Sequence, residues 1–104
     1  MTQSSKNYWA WMMKMFSYDL SPDLIKKAKT MKKKDKILAR ILLRKIKEIT
    51  SRDNKTIDSY KNLKSPMQMF KRVHLTDNYI LLFRVFKKEN HIRFEDVLHW
   101  DNAY

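Results

Sequence analysis

FKRVHLTDNYILLFRVFKKENHIRFEDVLHW, residues Phe70–Trp100, decides the fold. Apolar and polar residues alternate with a period of two in three runs: MFKRVHL (69–75), YILLFRVF (79–86) and HIRFEDVLHW (91–100). The breaks between them, TDN and KKEN, are rich in turn formers. Connections this short join antiparallel neighbours, so the three runs predict a meander.

Loop length sets which residues face each other. A four-residue loop from Lys87 to Asn90 pairs Phe86 with His91, Arg84 with Arg93, Leu82 with Glu95 and Ile80 with Val97. A three-residue TDN turn pairs Leu75 with Tyr79, His74 with Ile80 and Arg72 with Leu82. Paired residues share a face. One face is therefore expected to carry Arg72, His74, Arg84, Arg93, Glu95 and His99, the other Val73, Leu75, Leu81, Phe83, Val85, Ile92, Phe94 and Leu98. A two-residue first turn would send Arg72 and His74 to the opposite side, and burial of the apolar set argues against it. Lys71 and Asp96 fall on the apolar side, so a bulge or an edge position is expected near each.

Upstream the period lengthens. MMKMFSYDL (12–20) reads as an opening strand. Ser21 is an N-cap candidate, Pro22 suits the first helical position, and Asp23 suits the positive end of the dipole. Leu24, Ile25, Ala28 and Met31 form one stripe; KKKDK interrupts it, and Asp35 can cap a second helix. There Ile37, Leu38, Ile41, Leu42, Ile46 and Ile49 recur at helical spacing, with Arg40, Arg44, Lys45 and Lys47 outward. Apolar stripes of this kind usually form core. Residues 50–66 are polar and read as a long connection. The sequence predicts an α+β domain over residues 12–104: N-terminal strand, two-helix hairpin, three-stranded antiparallel meander, helices on one sheet face. Residues 1–11 form an extension outside it.

Composition narrows the chemistry. The 104 residues suffice for one modest core. Lys and Arg number 23 against 11 Asp and Glu, a net charge of +12, which suits polyanions or an acidic protein partner. Cysteine and glycine are both absent, which excludes disulfides, thiolate nucleophiles, P-loops and dinucleotide-binding turns. Three histidines (His74, His91, His99) without a helical His-x-x-x-His pair argue against a metal site, and no cofactor is expected. YWAWMMKMF (8–16) is interrupted by Lys14 and too short to span a bilayer, so no membrane partner and a cytoplasmic location are expected. A face with three arginines and two histidines suits a phosphodiester: arginine holds phosphate bidentately and histidine moves protons near neutral pH. A solvated outer face would carry the same charges.

FKRVHLTDNYILLFRVF together with HIRFEDVLHWDNAY resembles the C-terminal half of the RelE/ParE superfamily of toxins, and most of all its RelE/YafQ-like branch with archaeal-type relatives. The likeness runs from about residue 13 to 104. It implies the toxin of a type II toxin–antitoxin pair: a metal-independent endoribonuclease that cuts mRNA, typically on the ribosome, by attack of the 2′-OH on the adjacent phosphate. It also implies a cognate RelB-like antitoxin, acidic or amphipathic. Carried over by position, His74 matches a functional histidine at the start of the strand hairpin, and His99 the late histidine that serves as acid or base. Asp101 matches a tail aspartate that orients His99 or a ribose hydroxyl, and Tyr104 falls one residue beyond the terminal aromatic. Arg84 is the best phosphate-binding candidate, because a charge inside an apolar strand has to face solvent or a ligand.

The expected catalytic set is His74, Arg84, His99 and Tyr104; the expected substrate-binding set is Lys61, Lys64, Arg72, Arg93 and Asp101. The pattern departs from the family at three places. Ile80 stands where many relatives have an arginine, Lys61 where YafQ-like chains have a histidine, and Arg93 is displaced from the late arginine. Two other readings stay open: a ParE-like inhibitor of a protein target such as DNA gyrase, and a degenerate member that only binds antitoxin.

Overall fold

The computed structural model describes residues 16–102. The 1–11 extension, residues 12–15 of the expected first strand and Tyr104 lie outside them. The element order is β1 (Ser17–Leu20), α1 (Pro22–Lys34), α2 (Lys36–Thr50), β2 (Lys71–His74), β3 (Tyr79–Phe86) and β4 (His91–His99), with 3-10 turns at Thr56–Ser59 and Trp100–Asn102. The four strands form one sheet in the order β1-β4-β3-β2. β1 lies parallel to β4 and the other pairs are antiparallel, so the α+β meander carries its first strand beside its last.

Both caps act as their residue types predict. The Ser21 hydroxyl accepts from the Leu24 amide at 3.1 Å and the Asp35 carboxylate from the Leu38 amide at 3.0 Å, each satisfying an amide that the first helical turn leaves open. Leu24, Leu42, Ile46 and Ile49 then pack on Leu81, Phe83, Ile92, Phe94 and Val97 in the main core. The stripes are narrower than expected: Ile25 is 43% exposed and Ile37 69%. Both lie in the first turn of their helices.

β2 and β3 pair as the three-residue turn requires, Arg72 with Leu82 and His74 with Ile80. β3 and β4 begin in the expected register, Phe86 with His91 and Arg84 with Arg93, but it shifts between Leu82 and Phe83. Phe83 pairs with Phe94 and Leu82 with Asp96, leaving Glu95 as the extra residue of a bulge. The expected pairs Leu82–Glu95 and Ile80–Val97 are thereby corrected. The cause is in Phe-Glu-Asp-Val itself. Strict alternation would bury Asp96 with Phe94 and expose Val97; the bulge keeps Phe94 and Val97 in the core and turns both acids away. The Glu95 carbonyl accepts from the Ser21 hydroxyl at 2.5 Å, and Lys27 Nζ bonds Asp96 Oδ1 at 2.6 Å and the Val97 carbonyl at 2.9 Å. The start of α1 thus satisfies the groups that the bulge frees.

The 51–70 connection is more than a tether. Ile57 and Tyr60 enter the main core, while Leu63 and Phe70 pack with Ile80, Leu82, Leu98 and Trp100 on the opposite sheet face. Tyr60 donates to Glu48 Oε2 and accepts from Arg52 Nε, both at 2.9 Å. Burial pushes the Glu48 carboxyl up, but hydrogen bonds from Tyr60 and Lys45 outweigh it and hold the group below its usual 4.5. Lys71, on the edge strand β2 and only 8% exposed, donates to the Tyr60 carbonyl and to Asn62 Oδ1 at 3.0 Å each. Among the described residues no helix is long and apolar enough to cross a membrane.

Candidate functional site

The sheet face turned away from the helices carries Arg72, His74, Arg84 and Arg93, as register requires. Its residues form a strip. His74 sits opposite Ile80, Arg72 opposite Leu82, and Arg84 two residues further along β3. At about 3.3 Å per residue the strip from Ile80 to Arg84 is about 13 Å long.

At one end the His74 ring stacks on Trp100, with centroids 4.6 Å apart and planes tilted by 36°. Trp100 is fixed by its amide bond to the Asn78 carbonyl at 2.7 Å and by its packing on the Leu63–Ile80–Leu82 cluster. His74 Nδ1 lies 3.4 Å from the Thr76 carbonyl oxygen. A carbonyl only accepts, so this neighbour favours the proton on Nδ1 and leaves Nε2 as the ring's acceptor. His74 is exposed.

At the other end Arg84 is half-buried, its guanidinium carbon 4.8 Å from the Phe86 ring centroid and 5.8 Å from that of Phe70. Its cross-strand neighbour is Arg93. The two cations differ in their surroundings. Arg93 Nε lies 3.9 Å from Asp19 and 4.0 Å from Glu95, whereas among the described residues no carboxylate stands within ion-pair distance of Arg84. Like charges directly opposite on a sheet oppose folding, and an anion at Arg84 relieves that opposition. Arg93 Nε itself is buried with no hydrogen-bond partner among the described residues.

His99 is not where the unbulged register puts it. It pairs with Tyr79 and so projects to the helix side, away from Arg84 and His74. There it stands edge-on to the Tyr79 ring at 5.5 Å and lines a cleft of about 500 Å³ with Lys26, Lys27 and Lys34 of α1. Leu98 is exchanged for it and joins the cluster on the arginine face. Asp101 Oδ2 is 3.7 Å from His99 Nδ1, beyond hydrogen-bond reach, and the Asp101 amide donates to the same nitrogen at 3.4 Å. His91 is structural, with Nδ1 2.7 Å from the Ser17 hydroxyl and Nε2 2.7 Å from Asp19, tying β1 to β4.

Lys61 and Lys64 are exposed on the connection beside β2, where the Lys61 carbonyl accepts from the Arg72 amide at 2.9 Å. Tyr104 lies outside the described residues. Sequence reasoning missed the two rings that flank Arg84. Phe86 was legible two positions along the same strand, but Phe70 reaches Arg84 only through the fold of the connection. Among the described residues no group of three His, Cys, Asp or Glu side chains is placed to hold a metal ion.

No protein-family model matches the chain. A Methanocaldococcus jannaschii protein assigned the toxin name RelE4 is 34% identical over 90 residues, covering 86% of this chain and 92% of that one. The fold is similar to YafQ from Escherichia coli, with a TM-score of 0.65 and 16% identity over 86% of this chain and 98% of that one. It is also similar to the toxin fold in the YoeB–YefM complex of Staphylococcus aureus, with a TM-score of 0.64 and 19% identity over 79% of this chain and 93% of that one. The order of strand, helix pair and meander, and the relative that shares a third of its residues over nearly the whole of both chains, lead to one conclusion: this chain belongs to the RelE superfamily of toxins from toxin–antitoxin systems.

Proposed function

We propose that the face carrying Arg72, His74 and Arg84 cleaves RNA. The observation that carries this reading is the division of that face: an exposed imidazole stacked on Trp100 at one end and, among the described residues, a carboxylate-free guanidinium between two rings at the other. His74 Nε2 takes the proton of a ribose 2′-OH. The 2′-oxygen attacks the adjacent phosphorus, the bond from phosphorus to the 5′-oxygen breaks, and the departing oxygen takes a proton from water. The product is a 2′,3′-cyclic phosphate. Arg72, two residues from His74 on the same face, meets the charge that develops on the reacting phosphate. Arg84 holds a neighbouring phosphate, with Phe70 and Phe86 beside it to stack on a base.

His99 with Asp101 binds the RNA backbone past the sheet end, together with the α1 lysines, and Lys61 and Lys64 do the same beside β2. Arg93 supports Arg84 and Tyr104 stacks on a base. The substrate is mRNA on the ribosome, in the cytoplasm, and a RelB-like antitoxin neutralises the toxin. The similar YoeB, found with YefM in an assembly described as toxin–antitoxin, supports such a partner. The test is primer extension on translated mRNA after induction. Wild type is expected to leave stops within the reading frame that His74→Ala removes. Stops that persist in His74→Ala reject the assignment, and intact mRNA with wild type rejects RNA cleavage.

A further inference from the structure

The connection between α2 and β2 folds back on itself before it joins the sheet. Asn62 pairs with Lys71 as an antiparallel bridge, the Leu63 amide bonds the Phe70 carbonyl at 2.9 Å, and the Arg72 amide bonds the Lys61 carbonyl at 2.9 Å. The turn closed in this way, residues 64–69, holds a bond from the Met67 amide to the Lys64 carbonyl at 2.9 Å, and the Phe70 amide bonds the Met67 carbonyl at 3.0 Å. Core packing does little to fix it, because its residues are exposed, Met67 by 43% and Met69 by 49%.

The Asn62 side chain spans the mouth of this turn. Its Nδ2 donates to the Gln68 carbonyl at 2.8 Å and its Oδ1 accepts from Lys71 Nζ at 3.0 Å. An ammonium only donates and a carbonyl only accepts, so the position calls for a side chain with one donor end and one acceptor end. Aspartate would serve Lys71 and oppose Gln68; alanine would serve neither. Phe70 lies two residues past Gln68. Its ring packs on Leu63, Ile80 and Leu82 and is 5.8 Å from the Arg84 guanidinium carbon.

We propose that Asn62 is a positioning residue for RNA. By tying the Gln68 carbonyl to the buried Lys71, it fixes the turn that sets Phe70 beside Arg84, where the ring meets a base. The inference deepens the proposed function, since it rests on Phe70 and Arg84 meeting a base and a phosphate. Asn62 acts through Phe70, not on the substrate.

The test is a double-mutant cycle, read by fluorescence anisotropy with an uncleavable 2′-deoxy-substituted RNA. Phe70→Ala should weaken binding by about 5-fold or more, as loss of one base stack does. Asn62→Asp and Asn62→Ala should each weaken it by about 3- to 10-fold, the effect of one hydrogen bond. On the Phe70→Ala background neither should weaken it further by more than about 2-fold. Asn62→Asp keeps the acceptor for Lys71, so its urea midpoint should stay within about 0.5 M of wild type. Its single-turnover cleavage rate at saturating RNA should stay within about 3-fold, because His74 stands at the other end of the strip.

Additive losses in the cycle, a loss with Asn62→Asp alone (charge repulsion), or unchanged binding in both Asn62 variants would each overturn the proposal. So would a larger midpoint shift in Asn62→Asp, a rate loss at saturation as large as its binding loss, or Phe70→Ala binding RNA as wild type does. Wild type that binds RNA without cutting it rejects the ribonuclease reading and leaves the binding cycle standing.

Discussion

Replacing Arg84 with alanine should separate binding from stability. In the folded chain the guanidinium gains from two rings, at 4.8 and 5.8 Å. Such contacts contribute about 0.5–1 kcal/mol each at partly exposed sites. Against this stands the like-charge pairing with Arg93, which opposes folding by about 0.2–1 kcal/mol. The net loss of stability is therefore between about 0 and 2 kcal/mol. Binding should suffer more. A hydrogen bond to a charged group contributes about 1.5–3 kcal/mol, so losing one phosphate contact weakens RNA by about 10- to 150-fold. One contact fewer also lowers the slope of log K against log salt by about 0.7 for single-stranded RNA. The assay is fluorescence anisotropy with a 2′-deoxy-substituted, uncleavable RNA at several salt concentrations, beside urea denaturation. An unchanged salt slope, or a stability loss above about 2 kcal/mol, would show that Arg84 serves the fold and not a phosphate.

Three further outcomes follow from the geometry. His74→Ala should lower the single-turnover cleavage rate by about 100-fold or more, as loss of a general base does, while His99→Ala, on the other sheet face, should raise the RNA requirement with a rate loss under about 10-fold; equal rate losses would contradict the division. Lys71→Met should cost about 1–3 kcal/mol in urea denaturation, because the Tyr60 carbonyl and Asn62 lose their donor at a site only 8% exposed; a neutral result would refute that bond's role. Acid stability has a definite sign. Asp58 is held below its usual 3.8 chiefly by the Lys87 hydrogen bond, Asp53 by the Thr56 amide, and Glu48 lies below 4.5. Carboxyls lowered in the folded state stabilise it above their unfolded values, and that contribution disappears as pH falls through the folded ones. Their contribution should be constant above about pH 4.5 and lost below it, and Asp58→Asn should flatten the acid limb of the stability curve.

The helix pair and the first hairpin were legible because local chemistry determines them: Ser21 and Asp35 cap where caps are needed, and TDN permits one register for Arg72 and His74. The bulge at Glu95 was legible only as a conflict, with Asp96 inside and an edge or bulge required nearby. Its place depends on Ser21 and Lys27, more than 65 residues away in sequence, which supply the partners for Glu95, Asp96 and Val97. That one extra residue moves His99 to the helix side, so the expected site divides into two. The connection was underread for another reason. Ile57, Tyr60 and Leu63 recur every third residue within a polar run, and a short stripe of that kind shows its burial only once β2 and β3 provide a surface.

The most direct measurement of the central claim is the chemistry of the cut ends. RNA cleaved by the full chain should carry a 2′,3′-cyclic phosphate on the upstream fragment and a 5′-hydroxyl on the downstream one, in amounts that fall by about 100-fold or more with His74→Ala. A 5′-phosphate on the downstream fragment, or cyclic ends formed equally well without His74, would contradict a reaction run by the 2′-OH on this face of the sheet.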